Sequence, residues 1–381
     1  MAADYNAYRE LFPITKEWAY LNHASVCPLS TPVAEAMQRV IASGYEQGWL
    51  SESKLVESME EIRARAAQLI GATPQEVCFT NNTSEGLNIV ANGLDWRPGD
   101  NIVGAETEFP TNVYPWKHLA RYGVETRLAP ARENRILVED IAALMDERTR
   151  LVALSSVEFG TGYRNDLQRI GALCRQRGAL FCLDSIQGLG ALPLDVHESR
   201  VDFLANGGHK WLMGITGTGI FYCRRDLIAP RSDRALKPTL IGWNSVQHAE
   251  NMYCYDNPLR EDARRWETGC ANYLGRTGLG AALKMLQEVG IANIESRLKA
   301  LTDYLIAGLR ERGYHITSPI ASWAERSGIL CFDHPVHPAA ELHKRLTEAR
   351  VAISLRGKVI RVSPHFYNNE GDLDRLLAAL P

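Results

Sequence analysis

Two residues of opposite charge stand at the ends of consecutive apolar runs, and they dominate the chemistry open to this chain. Residues 178–184, Gly-Ala-Leu-Phe-Cys-Leu-Asp, are short and apolar enough for a buried parallel strand that ends on the carboxylate of Asp184. Residues 201–205 lead into Asn206-Gly207-Gly208-His209-Lys210-Trp211, so the second run delivers an amine. Open α/β sheets collect their ligands at such strand ends. Upstream, residues 76–80 read as a strand that opens through Asn81-Asn82-Thr83-Ser84-Glu85-Gly86 into a helical pattern. That turn aims free backbone N–H groups, two hydroxyls and the positive end of a helix dipole at one spot, which suits a phosphate. Taken alone, Thr83 or Ser84 is a plain helix N-cap. Its place in the first strand-to-helix turn of the sheet that later supplies Asp184 and Lys210 favours the phosphate. A lysine for imine formation, an acid for a ring nitrogen and a phosphate cradle are together what a pyridoxal phosphate site requires.

The chain that must position these groups has 381 residues, enough for a large core and for two domains. A composition of 45% hydrophobic and 23% charged residues is that of an ordinary globular protein, and a net charge of -3 gives no reason to invoke nucleic acid or a membrane surface. No segment has the roughly 18 apolar residues of a membrane span, and residues 1–6 lack a basic and an apolar region, so a cytoplasmic protein is expected. The eight cysteines are scattered without a Cys-x-x-Cys pair and read as buried small hydrophobes in a reducing compartment. Residues 333–338, Asp-His-Pro-Val-His-Pro, carry two prolines and read as an irregular connection, so no metal site is assigned.

Strand patterns at 101–104, 151–157 and 220–223 alternate with helical patterns at 53–70 and 166–177, which argues for a largely parallel α/β sheet. Another helix is expected from Pro32 to about Gly44. From about residue 240 the pattern changes to a long polar region, two helices and a smaller α+β unit. The expected division is a large domain at 15–245 and a small domain at 246–381, with residues 1–14 packing on the latter. Phe109, in the aromatic segment after the strand at 101–104, suits stacking on a planar ring or plugging a core. Asn22 and His23 sit in a polar loop after a brief strand. Residues 188–193 begin like a dinucleotide fingerprint but lack the third glycine and meet Pro193, which sets a nicotinamide enzyme aside.

Six stretches in order, residues 80–86, 108–116, 184–187, 208–210, 267–269 and 361–368, resemble the class V aminotransferase family. These are fold type I pyridoxal phosphate enzymes, among them cysteine desulfurases, isopenicillin N epimerase-like proteins and kynureninase. The resemblance implies a large domain with a mostly parallel seven-stranded sheet and a smaller α+β C-terminal domain. It implies that Lys210 forms the Schiff base with pyridoxal 5'-phosphate and that Asp184 pairs with the pyridinium nitrogen. Gln187 would reach the phenolic oxygen, Thr83, Ser84 and His209 the phosphate, and Phe109 the face of the ring. Glu158 falls roughly where relatives place an Asn or Gln at the phenolic oxygen. Arg356 is expected to clamp a substrate carboxylate, with Asn22 and His23 as further substrate-binding candidates. Cys270 stands where relatives bring a Thr from a neighbouring subunit to the phosphate, so a homodimer with shared sites is implied.

Cysteine desulfurases carry a nucleophilic Cys on a loop just after the carboxylate-binding region, whereas residues 356–364 hold none. The sequence therefore points to an aminotransferase or a β-eliminating carbon–sulfur lyase acting on an amino acid, with an epimerase or a catalytically silent scaffold as alternatives.

Overall fold

The computed structural model describes residues 4–228 and 234–381. Seven strands form the main sheet: β1 (Val77–Thr80), β2 (Asn101–Ala105), β3 (Glu125–Ala129), β4 (Thr149–Ser155), β5 (Leu180–Asp184), β6 (Phe203–Gly207) and β7 (Gly219–Cys223). Their order is β1-β7-β6-β5-β4-β2-β3. β7 runs antiparallel to β1 and β6, while the pairs from β6 to β3 are parallel. The sequence pattern had marked every one of these strands except β3, whose residues Glu125-Thr126-Arg127 carry the polarity of a sheet edge.

Both faces of the central strands are buried, and alternate side chains feed two separate cores. Phe181 and Leu183 of β5 join Val152, Leu154 and Leu204 on one face, whereas Leu180 and Cys182 join Leu151, Ala153 and Phe203 on the other. This is the period-two alternation of a strand covered on both sides, and it explains the near-continuous apolar runs. The helix Thr83–Gly93 covers the second face. Its Gly86 is forced by contact: a Cβ there would lie 2.7 Å from the Ala205 Cβ of β6. Glycine thus lets this helix sit directly on the strand that leads to Lys210.

The helix Tyr273–Val289 lies beyond the boundary expected at 245/246, yet it packs against the helices Thr31–Gln47 and Glu52–Leu69 beside the main sheet. After it, Ile291–Glu311 leads to a four-stranded antiparallel sheet in the order 315–316, 330–333, 359–362, 354–356. A third core forms there from Leu301, Leu305, Leu342, Leu373 and Leu376. The N-terminal segment joins this unit. Ala19–Tyr20 pairs in parallel with Val351–Ala352, Phe12 stacks on Tyr367 at 3.8 Å, and Arg9 makes two hydrogen bonds to Asp372 at 2.7 and 2.8 Å. Of the segment 1–14, residues 1–3 lie outside the described residues. No described helix is long and apolar enough to cross a membrane. His334 spends its Nδ1 on the backbone N–H groups of Val336 and His337.

Gly86→Ala is expected to push the helix off β6 and to cost about 1–3 kcal/mol, as overpacking in a close-packed core does. Urea denaturation of the two proteins measures the loss, and an unchanged midpoint would show that the helix seat yields freely.

Candidate active site

The strand ends converge on a cavity of about 300 Å³ at the carboxyl edge of the sheet. Lys210 enters it from the turn after β6. That turn is fixed by backbone bonds from Gly208 N–H to the Thr218 carbonyl and from Gly214 N–H to the Gly208 carbonyl, each 2.8 Å. Burial lowers the Lys210 amine to about 8; Asp184 works against that, and the nearby Arg361 and Arg356 guanidiniums add to it. The Nζ lies 5.6 Å from the centroid of the Phe109 ring. Phe109 is 44% exposed, an aromatic face left open over the amine, and Phe159 meets it edge-on at 5.1 Å.

Asp184 is the last residue of β5 and is almost wholly buried. One carboxyl oxygen accepts the Ile186 N–H at 3.0 Å; the other, Oδ2, has no partner. Burial raises its pKa to about 6 despite that bond and despite Lys210. Across the cavity the Asn82 side chain caps the helix Thr83–Gly93 by accepting the Glu85 N–H. Glu85 folds back to accept the Asn81 backbone N–H at 2.6 Å and its amide N–H at 2.8 Å. The Thr83 hydroxyl is buried without a partner, and the Ser84 hydroxyl is bonded to that of Thr111.

Thr83, Ser84, Phe109, Asp184, Gln187, His209, Lys210 and Arg356 therefore meet at one cavity, although they span most of the sequence. Gln187 donates to the Ala24 carbonyl at 3.0 Å and accepts the Trp211 indole N–H at 2.9 Å, so one amide N–H remains for a ligand. Burial and the Lys210 charge lower the pKa of His209.

Four expected residues do not line the cavity. Glu158 is buried behind it, accepting from Thr107 and Asn165 at 2.8 Å each. His23 is fully buried between the Ser363 carbonyl, 2.9 Å from Nδ1, and the Tyr367 hydroxyl, 2.8 Å from Nε2, and burial lowers its pKa to about 4. Asn22 accepts the Ser354 hydroxyl at 2.7 Å. Both belong to the seam between the N-terminal segment and the small sheet. Cys270 is exposed on another surface, beside a cavity of about 310 Å³ shared with Val56, Trp243 and Met252. A larger crevice, about 570 Å³ near Asp195 and Glu198, is lined by no lysine.

Sequence reasoning missed Arg361 and Ser25. Arg361 is 1% exposed; it donates to the Phe159 carbonyl at 2.8 Å and the Ser25 hydroxyl at 2.7 Å, and its Nε has no partner. Arg356 reaches the same hydroxyl at 3.2 Å. The signal was present: Arg361 is a charge inside the otherwise apolar strand Val359–Val362. Ser25 left no such trace. None of the eight cysteines lines the cavity.

This donor set fits a phosphorylated pyridine aldehyde. The orphaned Asp184 oxygen matches a ring N–H, the helix mouth with the free Thr83 hydroxyl matches a phosphate, and the Lys210 amine, its pKa lowered by burial, matches an aldehyde carbon. Fold and site thus define a fold type I pyridoxal phosphate enzyme. The family model for aminotransferase class V matches residues 19–376, and the chain belongs to that family. A cysteine desulfurase of Klebsiella pneumoniae is 31% identical, over 95% of this chain and 92% of its own. Among solved structures, a lysine-to-alanine mutant of C-DES with glycine covalently linked to its PLP cofactor superposes with a TM-score of 0.90 at 26% identity, covering 97% of this chain and 98% of the other. The complex of the cystine C–S lyase C-DES with its product cysteine persulfide gives 0.88 at 26% identity, over 96% and 98%.

Lys210→Ala is expected to bind the cofactor only reversibly, so that gel filtration strips the yellow colour that the wild type retains. Asp184→Asn is expected to keep the covalent link but shift the visible band. A Lys210→Ala protein that stays yellow through desalting would refute the assignment of the amine.

Proposed function

We propose that this protein is a carbon–sulfur lyase that eliminates the β-sulfur substituent of a cysteine-type amino acid without using an enzyme thiol. The observation that carries this reading is the two-residue turn Gly357-Lys358. Arg356 pairs directly with Val359 across the hairpin, so no segment extends from this edge to present a cysteine to the cavity. The Klebsiella relative and the C-DES structures are named for cysteine or cystine chemistry, which supports elimination.

When bound, pyridoxal phosphate supplies the electron sink that makes the substrate α-proton acidic. The residues of this chain do the rest. Arg361, buried and with a free Nε, grips the substrate carboxylate with Arg356 beside it. That fixes the amino acid with its α-carbon toward Lys210. The Lys210 amine, lowered to about 8, takes the α-proton near neutral pH. The electron pair of that C–H bond becomes the new carbon–carbon double bond, and the Cβ–S pair leaves with sulfur. Asp184 Oδ2 would hold the ring-nitrogen proton, and Phe109 would cover the ring face.

The same reading includes a homodimer. Leu240, Ile241, Trp243, Met252, Tyr253 and Tyr255 are 58–92% exposed, an apolar surface that monomers rarely keep. It adjoins the segment 268–270, which Glu267 anchors through Arg63 and Arg276. That arrangement suits donation of the Cys270 backbone to a neighbouring site. The unpaired cysteines, six of them buried, accord with a cytoplasmic location.

Incubation with cystine or cysteine, with no keto acid added, is expected to give pyruvate, ammonia and a persulfide or sulfide. A strict need for a keto acid acceptor would instead assign transamination, and inversion at the α-carbon alone an epimerase. Arg361→Gln is expected to raise KM roughly 10- to 100-fold, the worth of a charged hydrogen bond. Sedimentation velocity is expected to show a dimer that Tyr253→Asp weakens.

A further inference from the structure

Behind the wall that carries Asp184 lie two buried acids that this chemistry does not use. Glu108 stands on the loop after β2 that bears Phe109, and Glu158 on the loop after β4 that bears Phe159. They cross-link the same two loops in opposite senses. Glu108 reaches from the first loop to the end of β4, where it accepts the Ser155 backbone N–H and hydroxyl, each at 2.5 Å; within its own loop it also accepts the Asn112 amide at 2.9 Å. Glu158 reaches back from the second loop to accept the Thr107 hydroxyl at 2.8 Å, and it also takes the Asn165 amide. Phe109 and Phe159, which meet edge-on, are the roof these loops hold over the cavity.

Glu108 and Glu158 are 6% and 1% exposed, and neither forms an ion pair among the described residues. The titratable groups facing them are each other, Asp184 and Cys182 on β5, and Tyr163 beyond Glu158; the Lys210 charge faces Asp184. Three carboxyls in one dry region with one nearby cation do not all ionise at neutral pH.

We propose that Glu108 and Glu158 are positioning residues, a buried carboxyl pair that clamps the Phe109 and Phe159 loops together, titrates as a unit holding one proton and leaves Asp184 as the ionised acid of the site. Burial, and for Glu108 also repulsion from Glu158, moves both acids in the required direction: Glu108 well above the ordinary range and Glu158 up to about 7. The proton belongs to the pair, so its loss places an uncompensated charge between the two loops.

The sign of the pH effect follows from linkage. The folded chain holds a proton that the unfolded chain, with an ordinary glutamate pKa of about 4.3, has released, so the stability it contributes is lost as pH rises from there to about 7. Glu158→Gln keeps both bonds, its amide oxygen accepting from Asn165 and its amide N–H donating to the Thr107 hydroxyl, and it takes up no proton. In the cofactor-free full-length protein, the melting temperature of E158Q is expected to pull ahead of the wild type by several degrees across that interval, with a constant gap above it. Parallel curves would overturn the shared proton. The clamp is read separately, from the visible circular dichroism of the loaded protein, which reports how the ring is seated. Glu158→Ala is expected to lose most of that signal and E158Q to retain it. Equal signals in all three proteins would overturn the positioning role. Neither readout depends on which reaction the enzyme performs.

Discussion

The structure depends on one constraint, the withholding of partners from charged groups that line one cavity. Asp184 keeps an oxygen with no donor, Arg361 keeps an Nε with no acceptor, and Lys210 carries an amine whose pKa burial lowers to about 8. In a core selected only for stability, each would be paired or replaced, because a buried unsatisfied polar group costs on the order of 1–3 kcal/mol. Here the unpaired groups belong to residues that line one volume, which suits a single ligand whose ring N–H, phosphate and aldehyde would answer the free Asp184 oxygen, the helix mouth and the amine. The rest of the sheet supplies the rigidity that keeps these groups apart until that ligand arrives.

Rigidity comes from local choices that agree with one another. The central strands are apolar on both faces because helices cover both, so their ends cannot drift. Gly86 lets the helix mouth approach β6, which leads to Lys210. The mouth of that helix and the amine are thus set against each other by one helix–strand contact.

Most of this was legible in the sequence because it lay in short-range patterns. Buried parallel strands announce themselves as apolar runs, and their terminal polar residues mark the sheet edge, so Asp184, Lys210 and the Thr83 turn could be placed without coordinates. What was not legible lay in pairings distant along the chain. β3 hid because an edge strand carries polar residues, Glu125 and Arg127 among them. Arg361 was read as part of a motif rather than as a buried charge, although its strand is otherwise apolar. His23 and Asn22 looked like loop residues free to bind a substrate, and they prove to be spent on Ser363, Tyr367 and Ser354, more than 300 positions away. Glu158 aligned with a cofactor contact but turns away toward Asn165, because the chain bends back after β4 and Glu158 N–H bonds to the Tyr163 carbonyl.

The segment 19–27 has a mechanical consequence. It begins as a strand of the small domain beside Val351, passes Ser25 to both arginines, hands the Ala24 carbonyl to Gln187, and ends with the Cys27 N–H on the His209 carbonyl, one residue from the lysine. A single taut strap therefore joins the C-terminal lobe to the floor of the pocket. Any separation of the small sheet from that floor would therefore shift Ser25 and the arginines bonded to it relative to Lys210. The opposite rim is held differently, by Phe109 and Phe159 on loops that Glu108 and Glu158 tie to each other.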